Sequence, residues 1–189
     1  MRIISGSKKG HTILSYKNKE IRPLTDKNRE TIFNILIHGK EIISTGFEIT
    51  NSIVLDLFAG TGVFSFEALS RGALKSTVVE SSSLMIDLIY KNTEKLKFRN
   101  KLVIFDENAC SFTDASSDPK FHLVYCDPPY EKKLGIRSLK NLIKKNMLNK
   151  NAVIVLEEEL RSKPINLPEL EILRIKEIGI SKFSFLRLL

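Results

Sequence analysis

Residues 52–66 read Ser52-Ile53-Val54-Leu55-Asp56-Leu57-Phe58-Ala59-Gly60-Thr61-Gly62-Val63-Phe64-Ser65-Phe66. Ile53 to Leu57 form a short apolar run that enters a turn with glycine at 60 and 62, and behind the turn Val63, Phe66 and Leu69 recur at helical spacing over 62–71. Strand, glycine turn and helix in immediate succession open a β-α-β unit. Residues without Cβ let a ligand lie against the backbone, and the helix behind them offers N–H groups that no carbonyl has taken.

The same grammar extends in both directions. The runs Ser76 to Glu80, Leu102 to Phe105, Phe121 to Cys126 and Ala152 to Leu156 are four to six residues long and rich in β-branched side chains, as strands buried on both faces of a parallel sheet require. Helical spacing recurs over 83–97, through Leu84, Met85, Leu88, Ile89 and Leu96, and over 136–148, through Leu139, Leu142, Ile143 and Met147. Strand and helix alternating four times predict a doubly wound α/β sheet. Leu170 to Ile178 and Ile180 to Leu188 flank Gly179 with no helix between them, so they add a C-terminal antiparallel hairpin. Upstream, Thr25 is a candidate N-cap for a helix with Ile32, Phe33, Leu36 and Ile37 on one face and Gly39 at its end. Residues 1–24, with strand-like pieces at Arg2 to Ile4 and Thr12 to Leu14, read as a small basic N-terminal extension of a domain spanning 25–189.

At 189 residues the chain suits one domain, and 42% apolar with 28% charged residues excludes disordered, collagen-like and coiled-coil classes. No apolar stretch is long enough for a membrane span or a secretory signal, so a cytoplasmic protein is expected. Cys110 and Cys126 are the sole cysteines, too few for a disulfide framework or a four-ligand zinc site. The net charge is +8, unevenly spread. Residues 1–40 hold nine basic and three acidic side chains and residues 131–150 hold seven and one, while 41–130 hold eight and twelve. Two concentrated basic blocks point to nucleic acid.

The glycine turn has its own chemistry. A dinucleotide fingerprint wants a third glycine where Ser65 stands, and the Asp56 carboxylate repels phosphate while attracting a cation such as a sulfonium. Glu80, closing the second strand, can accept hydrogen bonds from both hydroxyls of a ribose. An adenosyl group with a positive tail describes S-adenosylmethionine, held by Asp56, Phe58, Ala59, Gly60, Thr61, Gly62 and Glu80. The run Phe121 to Cys126 then stops at Asp127-Pro128-Pro129-Tyr130. Two prolines stiffen the backbone at the carboxyl end of a strand, where α/β sheets bind ligands. A carboxylate, a prolyl carbonyl and a ring match the two N–H donors and flat face of a nucleobase amine.

These stretches resemble the cofactor and catalytic motifs of the class I S-adenosylmethionine-dependent amino-methyltransferases, with their Rossmann-like fold. Met1-Arg2-Ile3-Ile4-Ser5-Gly6, Arg22-Pro23-Leu24-Thr25-Asp26, Arg29-Glu30 with Phe33-Asn34-Ile35-Leu36, and Glu67-Ala68-Leu69-Ser70-Arg71-Gly72-Ala73 are similar to the RsmD family, whose bacterial enzymes methylate guanine N2 in small-subunit (16S) ribosomal RNA. The resemblance implies S-adenosylmethionine as cofactor, ribosomal RNA, free or within a small-subunit particle, as partner, and a monomer off the membrane. It assigns catalysis to Asp127, Pro128, Pro129 and Tyr130. The family's acid after the third strand is replaced here by Asp106-Glu107-Asn108, so the adenine contact falls to Asn108 or to Asp106. Arg2, Lys8, Lys9, Arg22 and Arg29 in front, with Lys132, Lys133 and Arg137 after the turn, are expected along the RNA backbone.

Other classes fit less well. A DNA adenine methyltransferase needs a base-reading domain for which 189 residues leave no room, and glutamine methyltransferases usually carry Asn where Asp127 stands. A nicotinamide dehydrogenase is disfavoured by Ser65 and by histidines outside the motifs. A non-catalytic RNA-binding or assembly protein would not need Gly60, Gly62, Glu80 and Asp127 together.

Overall fold

The computed structural model describes residues 1–15, 24–114, 120–129, 133–163 and 165–189. The first fifteen residues fold back on themselves through a bridge between Arg2 and Thr12 around a 3-10 turn at Gly6–Lys8. Helix α1 spans Asp26–His38 and is capped by Thr25, whose hydroxyl accepts the Asn28 N–H. It ends at Gly39, where a Cβ would stand 2.5 Å from the Ile35 carbonyl oxygen, and the short helix α2, Lys40–Ile43, follows.

Seven strands then build one sheet. In chain order the elements are β1 (Ile53–Leu57), α3 (Val63–Ser70), β2 (Lys75–Glu80), α4 (Ser83–Leu96), β3 (Leu102–Asp106), β4 (Phe121–Cys126), α5 (Leu134–Lys144), β5 (Leu148–Glu159), β6 (Leu170–Ile178) and β7 (Ser181–Leu188). Their order across the sheet is β3-β2-β1-β4-β5-β7-β6. The pairs from β3 to β5 are parallel, and β7 runs antiparallel to both β5 and β6. The expected mostly parallel α/β sheet with a C-terminal hairpin is therefore the observed one. Gly179, at φ +62°, is the first residue of the two-residue hairpin loop, the position where a left-handed backbone is needed.

Alternation along the strands divides the core. Val54, Val78, Leu123, Tyr125, Val153, Val155, Phe183 and Phe185 face a cluster completed by α1, α3 and α4, while Leu55, Leu57, Val79, Val124, Cys126, Ile154 and Leu156 face α5. Ile3 and Ile13 are buried in the first cluster, so the front segment packs onto the sheet's helical layer.

Three expectations need correction. No helix joins β3 to β4 among the described residues, so the alternation of strand and helix is incomplete there. The last parallel strand is twelve residues long and begins at Leu148, well before the apolar run at Ala152. Its polar start, Asn149 to Asn151, carries no periodicity to reveal it. Helix α5 stops at Lys144 because Asn146 turns left-handed at φ +54° and Met147 closes the turn through the Leu142 carbonyl.

Candidate active site

The last register pair between β1 and β4 is Leu57 with Cys126. Each strand leaves the sheet one residue later, β1 into the glycine loop at Phe58 and β4 into the proline turn at Asp127. The Asp127 N–H donates to the Leu57 carbonyl at 3.4 Å, joining turn and loop. Both lie at the carboxyl ends of the parallel strands, in the centre of the sheet, where the strand order reverses direction.

The loop is tightly held from behind. Phe58 adopts φ +60°, a left-handed conformation that a phenylalanine takes up only under constraint, followed by Gly60 at +54° and Gly62 at +71°. A Cβ on Gly62 would meet Phe66 and Ile89 at 3.2 and 3.3 Å, so that glycine serves the packing of α3 against α4. A Cβ on Gly60 would meet nothing within 4 Å: this side of the loop is open. Glu80 braces it, one oxygen accepting the Gly60 N–H at 2.8 Å and the other the N–H groups of Ser81 and Ser82. An open glycine backbone beside a fixed carboxylate fits the adenosyl and ribose of S-adenosylmethionine. Ala59 and Thr61 are half-exposed within the same loop.

Asp56 is placed differently from expectation. Its carboxylate is 1% exposed and accepts both the Ser65 N–H (3.2 Å) and the Ser65 hydroxyl (2.8 Å), so it faces the start of α3 instead of the open side of the loop. Burial raises its pKa to about 7, against the opposing effect of the Ser65 hydrogen bonds. Ser65, read as a poor third glycine, is the residue that this carboxylate holds, and its hydroxyl also accepts from Ser76 at 2.9 Å.

The proline turn carries the second half of the site. Asp127 is half-buried, Pro128 buried and Pro129 exposed. Burial first, then the carboxylates of Glu157 and Asp56, hold the Asp127 pKa well above the usual carboxylate range. Beneath it the Tyr125 hydroxyl donates to Glu157 at 2.7 Å, and the Tyr125 ring stacks on Phe64 with centroids 4.0 Å apart. Glu157 has a sequence signal only in retrospect, as the first acid after the apolar run of β5. Gly135 is a further support: a Cβ there would approach Leu156 at 2.7 Å and Pro128 at 3.2 Å, so glycine lets α5 begin directly against the turn.

The family model described as Conserved hypothetical protein 95 matches residues 1–187. The chain belongs to this family, the RsmD methyltransferases. Among its relatives, ribosomal RNA small subunit methyltransferase D of Haemophilus influenzae is 32% identical over 189 residues, covering 97% of this chain and 91% of that protein. The protein of the same name from Escherichia coli is 32% identical over 162 residues, covering 86% and 76%. The solved structure of yhhF from Escherichia coli, described as a candidate methyltransferase, matches with a TM-score of 0.84 and 28% identity over 100% of this chain and 97% of that one.

Within the RsmD family the remaining residues fall into place unequally. Asn108 accepts the Cys110 N–H at 2.9 Å and so shapes the turn after β3, while Asp106 ends that strand exposed. Arg29 is fully buried, donating to Glu67, Asp26 and the carbonyls of Leu24 and Arg2, which removes it from the residues expected along an RNA backbone. Arg2 is exposed beside Asp26 at 3.4 Å. Lys9 is exposed and Lys8 half-buried, but Lys8 sits at Ser70, the carboxyl end of α3, whereas the glycine loop precedes its amino end. Lys8 and Lys9 therefore lie at the opposite end of the sheet from the turn, and among the described residues Lys133 and Arg137, both exposed, are the predicted RNA contacts that follow the turn. Arg22, Tyr130 and Lys132 lie outside the described residues.

Proposed function

We propose that this RsmD-family protein transfers a methyl group from S-adenosylmethionine to the exocyclic N2 amine of a guanine in small-subunit (16S) ribosomal RNA. The observation that carries this reading is the junction of the Asp127 turn with the glycine loop through the Leu57 carbonyl. Relatives named as ribosomal RNA small subunit methyltransferases support it. Bound S-adenosylmethionine would supply a methyl group on a sulfonium, an electrophile with a good leaving group. Gly60 and Gly62 would lie against it, with Glu80 at its ribose; Asp56 contributes from behind, by fixing Ser65 and the start of α3.

The guanine amine is a weak nucleophile because its lone pair is delocalised into the ring. Asp127 and the Pro128 carbonyl accept hydrogen bonds from its two N–H groups, favour a pyramidal nitrogen and stabilise the positive charge that grows there as the donor would leave as a neutral thioether; the methylated nitrogen then gives up one proton, to Asp127 or to water. Tyr130, next in sequence, supplies the ring on which an extruded base stacks. Alignment of nucleophile and methyl carbon is the chief task, and orientation can contribute about 7–11 kcal/mol to such a step. Lys133 and Arg137 meet the RNA backbone beside the turn.

Mass spectrometry of ribosomal RNA tests the reading. Cells without the protein lose one N2-methylguanine from small-subunit RNA, which the wild type restores and Asp127→Ala does not; purified Asp127→Ala turns over at least about 100-fold more slowly, as expected when a group that stabilises transition-state charge is removed. An unchanged content of N2-methylguanine, or full restoration by Asp127→Ala, defeats it.

A further inference from the structure

The amino-terminal end of the sheet, away from Asp127, gathers a cluster of cations around the basic stretch Lys95-Leu96-Lys97-Phe98-Arg99-Asn100-Lys101. Residues 41–130 carry eight basic against twelve acidic side chains, yet the fold brings Lys75, Lys95, Lys97, Arg99 and Lys101 from this acidic stretch together with Lys8 from the front segment. The contacts are specific. The Lys8 ammonium lies 5.8 Å above the Phe98 ring, between Lys97 and Arg99 in sequence. Lys95 donates to the Thr12 hydroxyl at 2.7 Å, and the Lys101 carbonyl accepts the Ser76 N–H at 2.8 Å, next to Lys75. Lys75, Lys95, Lys97, Arg99 and Lys101 are all exposed. Glu94 stands among them, paired with Arg99 at 2.7 Å. A depression of about 450 Å³ is lined by Glu94, Lys97, Arg99, Asn100 and Lys101.

We propose that this end of the molecule is a second phosphate-binding pole for the RNA, remote from the site of methyl transfer. The inference rests on the RNA reading above and adds to it a requirement on substrate size. Helix α4 starts three residues after Glu80 and runs for 14 residues to Leu96, just before Lys97, so the pole lies about 21 Å from the cofactor loop at 1.5 Å of rise per residue. A small anion cannot use both places at once; an extended polyanion can. Exposed lysines spread over such a distance suit the regularly spaced charges of a nucleic-acid backbone, whose affinity comes from released counterions.

The test is the double variant Lys97→Glu/Lys101→Glu, at two exposed positions, with full-length small-subunit ribosomal RNA in filter binding from low to high salt. The expected result is a Kd at least about tenfold weaker and a slope of log Kd against log salt smaller by about 2, one for each phosphate that the variant no longer neutralises, with S-adenosylmethionine affinity unchanged. Wild-type Kd and slope in the variant, while the wild type methylates that RNA, overturn the pole and leave the methyltransferase reading standing. A wild type that neither binds nor methylates the RNA removes that reading and the pole with it. Binding of the wild type to phosphatidylserine vesicles that the variant loses, with RNA affinity intact, assigns the patch to a lipid surface and also overturns the pole.

Discussion

Asp127 is a carboxylate among carboxylates. Its neighbours Glu157 and Asp56 sit on the flanking strands β5 and β1, and the β4 residue Tyr125 ties Glu157 down through its hydroxyl at 2.7 Å. Burial and these two charges raise the Asp127 pKa, so the anion that would accept the amine N–H forms at higher pH than an ordinary aspartate's does. The sign follows: activity increases with pH through a midpoint above the usual carboxylate range. Glu157→Gln removes one of the repelling charges and keeps an acceptor for the Tyr125 hydroxyl, so the rise in kcat/KM is expected to move to lower pH. Profiles of both proteins measured in parallel check this, with the midpoint assigned to the interacting carboxylates as a group. An unmoved midpoint would mean that Glu157 does not act on Asp127. No motif in the chain singles out Glu157 or Tyr125, because their importance arises from strand adjacency, which only the register between β4 and β5 creates.

At the scale of elements, helix α3 does two jobs with its two ends. Its amino end is held by Asp56 behind the glycine loop, and its carboxyl half holds the front segment through one buried side chain. Glu67, with no exposure, accepts the backbone N–H groups of Ile4 and Ser5 at 2.9 and 3.0 Å and pairs with Arg29 and Arg71 at 3.3 and 2.8 Å. All eight residues of α3 are buried, and a helix covered on every side leaves an acid within it no route to water, so Glu67 has to be satisfied by partners. That signal is present in Val63-Phe64-Ser65-Phe66-Glu67-Ala68-Leu69, but it names no partner. Glu67→Ala strips the Arg29 guanidinium of a charge while leaving it buried, a change that costs about 3–5 kcal/mol. Chemical denaturation is expected to show a loss in that range, with the amides of Ile4 and Ser5 losing their protection from hydrogen exchange. A loss under about 1 kcal/mol would show that water or Asp26 can replace the glutamate. The lysines of the front segment depend on this knot for their position.

For the whole molecule, what was legible in the sequence was what repeats. Strands β1, β4 and β6 coincide with their apolar runs, the hairpin with its glycine, and α1 with its threonine cap, since each is dictated by local pattern. What was illegible was what folding brings together: the burial of Arg29, the inward turn of Asp56 and the place of the front lysines, all of which depend on contacts more than thirty residues apart or on which side of a loop a carboxylate faces. The place of those lysines has the largest consequence, because it sets the two basic blocks of the sequence at separate ends of the sheet. Lys8 and Lys9 lie at the carboxyl end of α3, and Lys133 and Arg137 follow the turn at the other end of the sheet. The eight residues of α3 alone separate them by about 12 Å along its axis, beyond the screening length of about 8 Å at physiological salt. Sites so far apart, with no protein side chain in common, are expected to add. Lys8→Ala/Lys9→Ala and Lys133→Ala/Arg137→Ala are each expected to weaken binding of small-subunit ribosomal RNA and to lower its salt slope by up to about 2, and the four substitutions combined are expected to lose the sum of the two free energies to within about 0.5 kcal/mol. Titrations of the four proteins against one RNA at three salt concentrations measure both quantities. A combined loss equal to that of either pair alone would mean that the two ends bind RNA as a single coupled contact, and would overturn additivity.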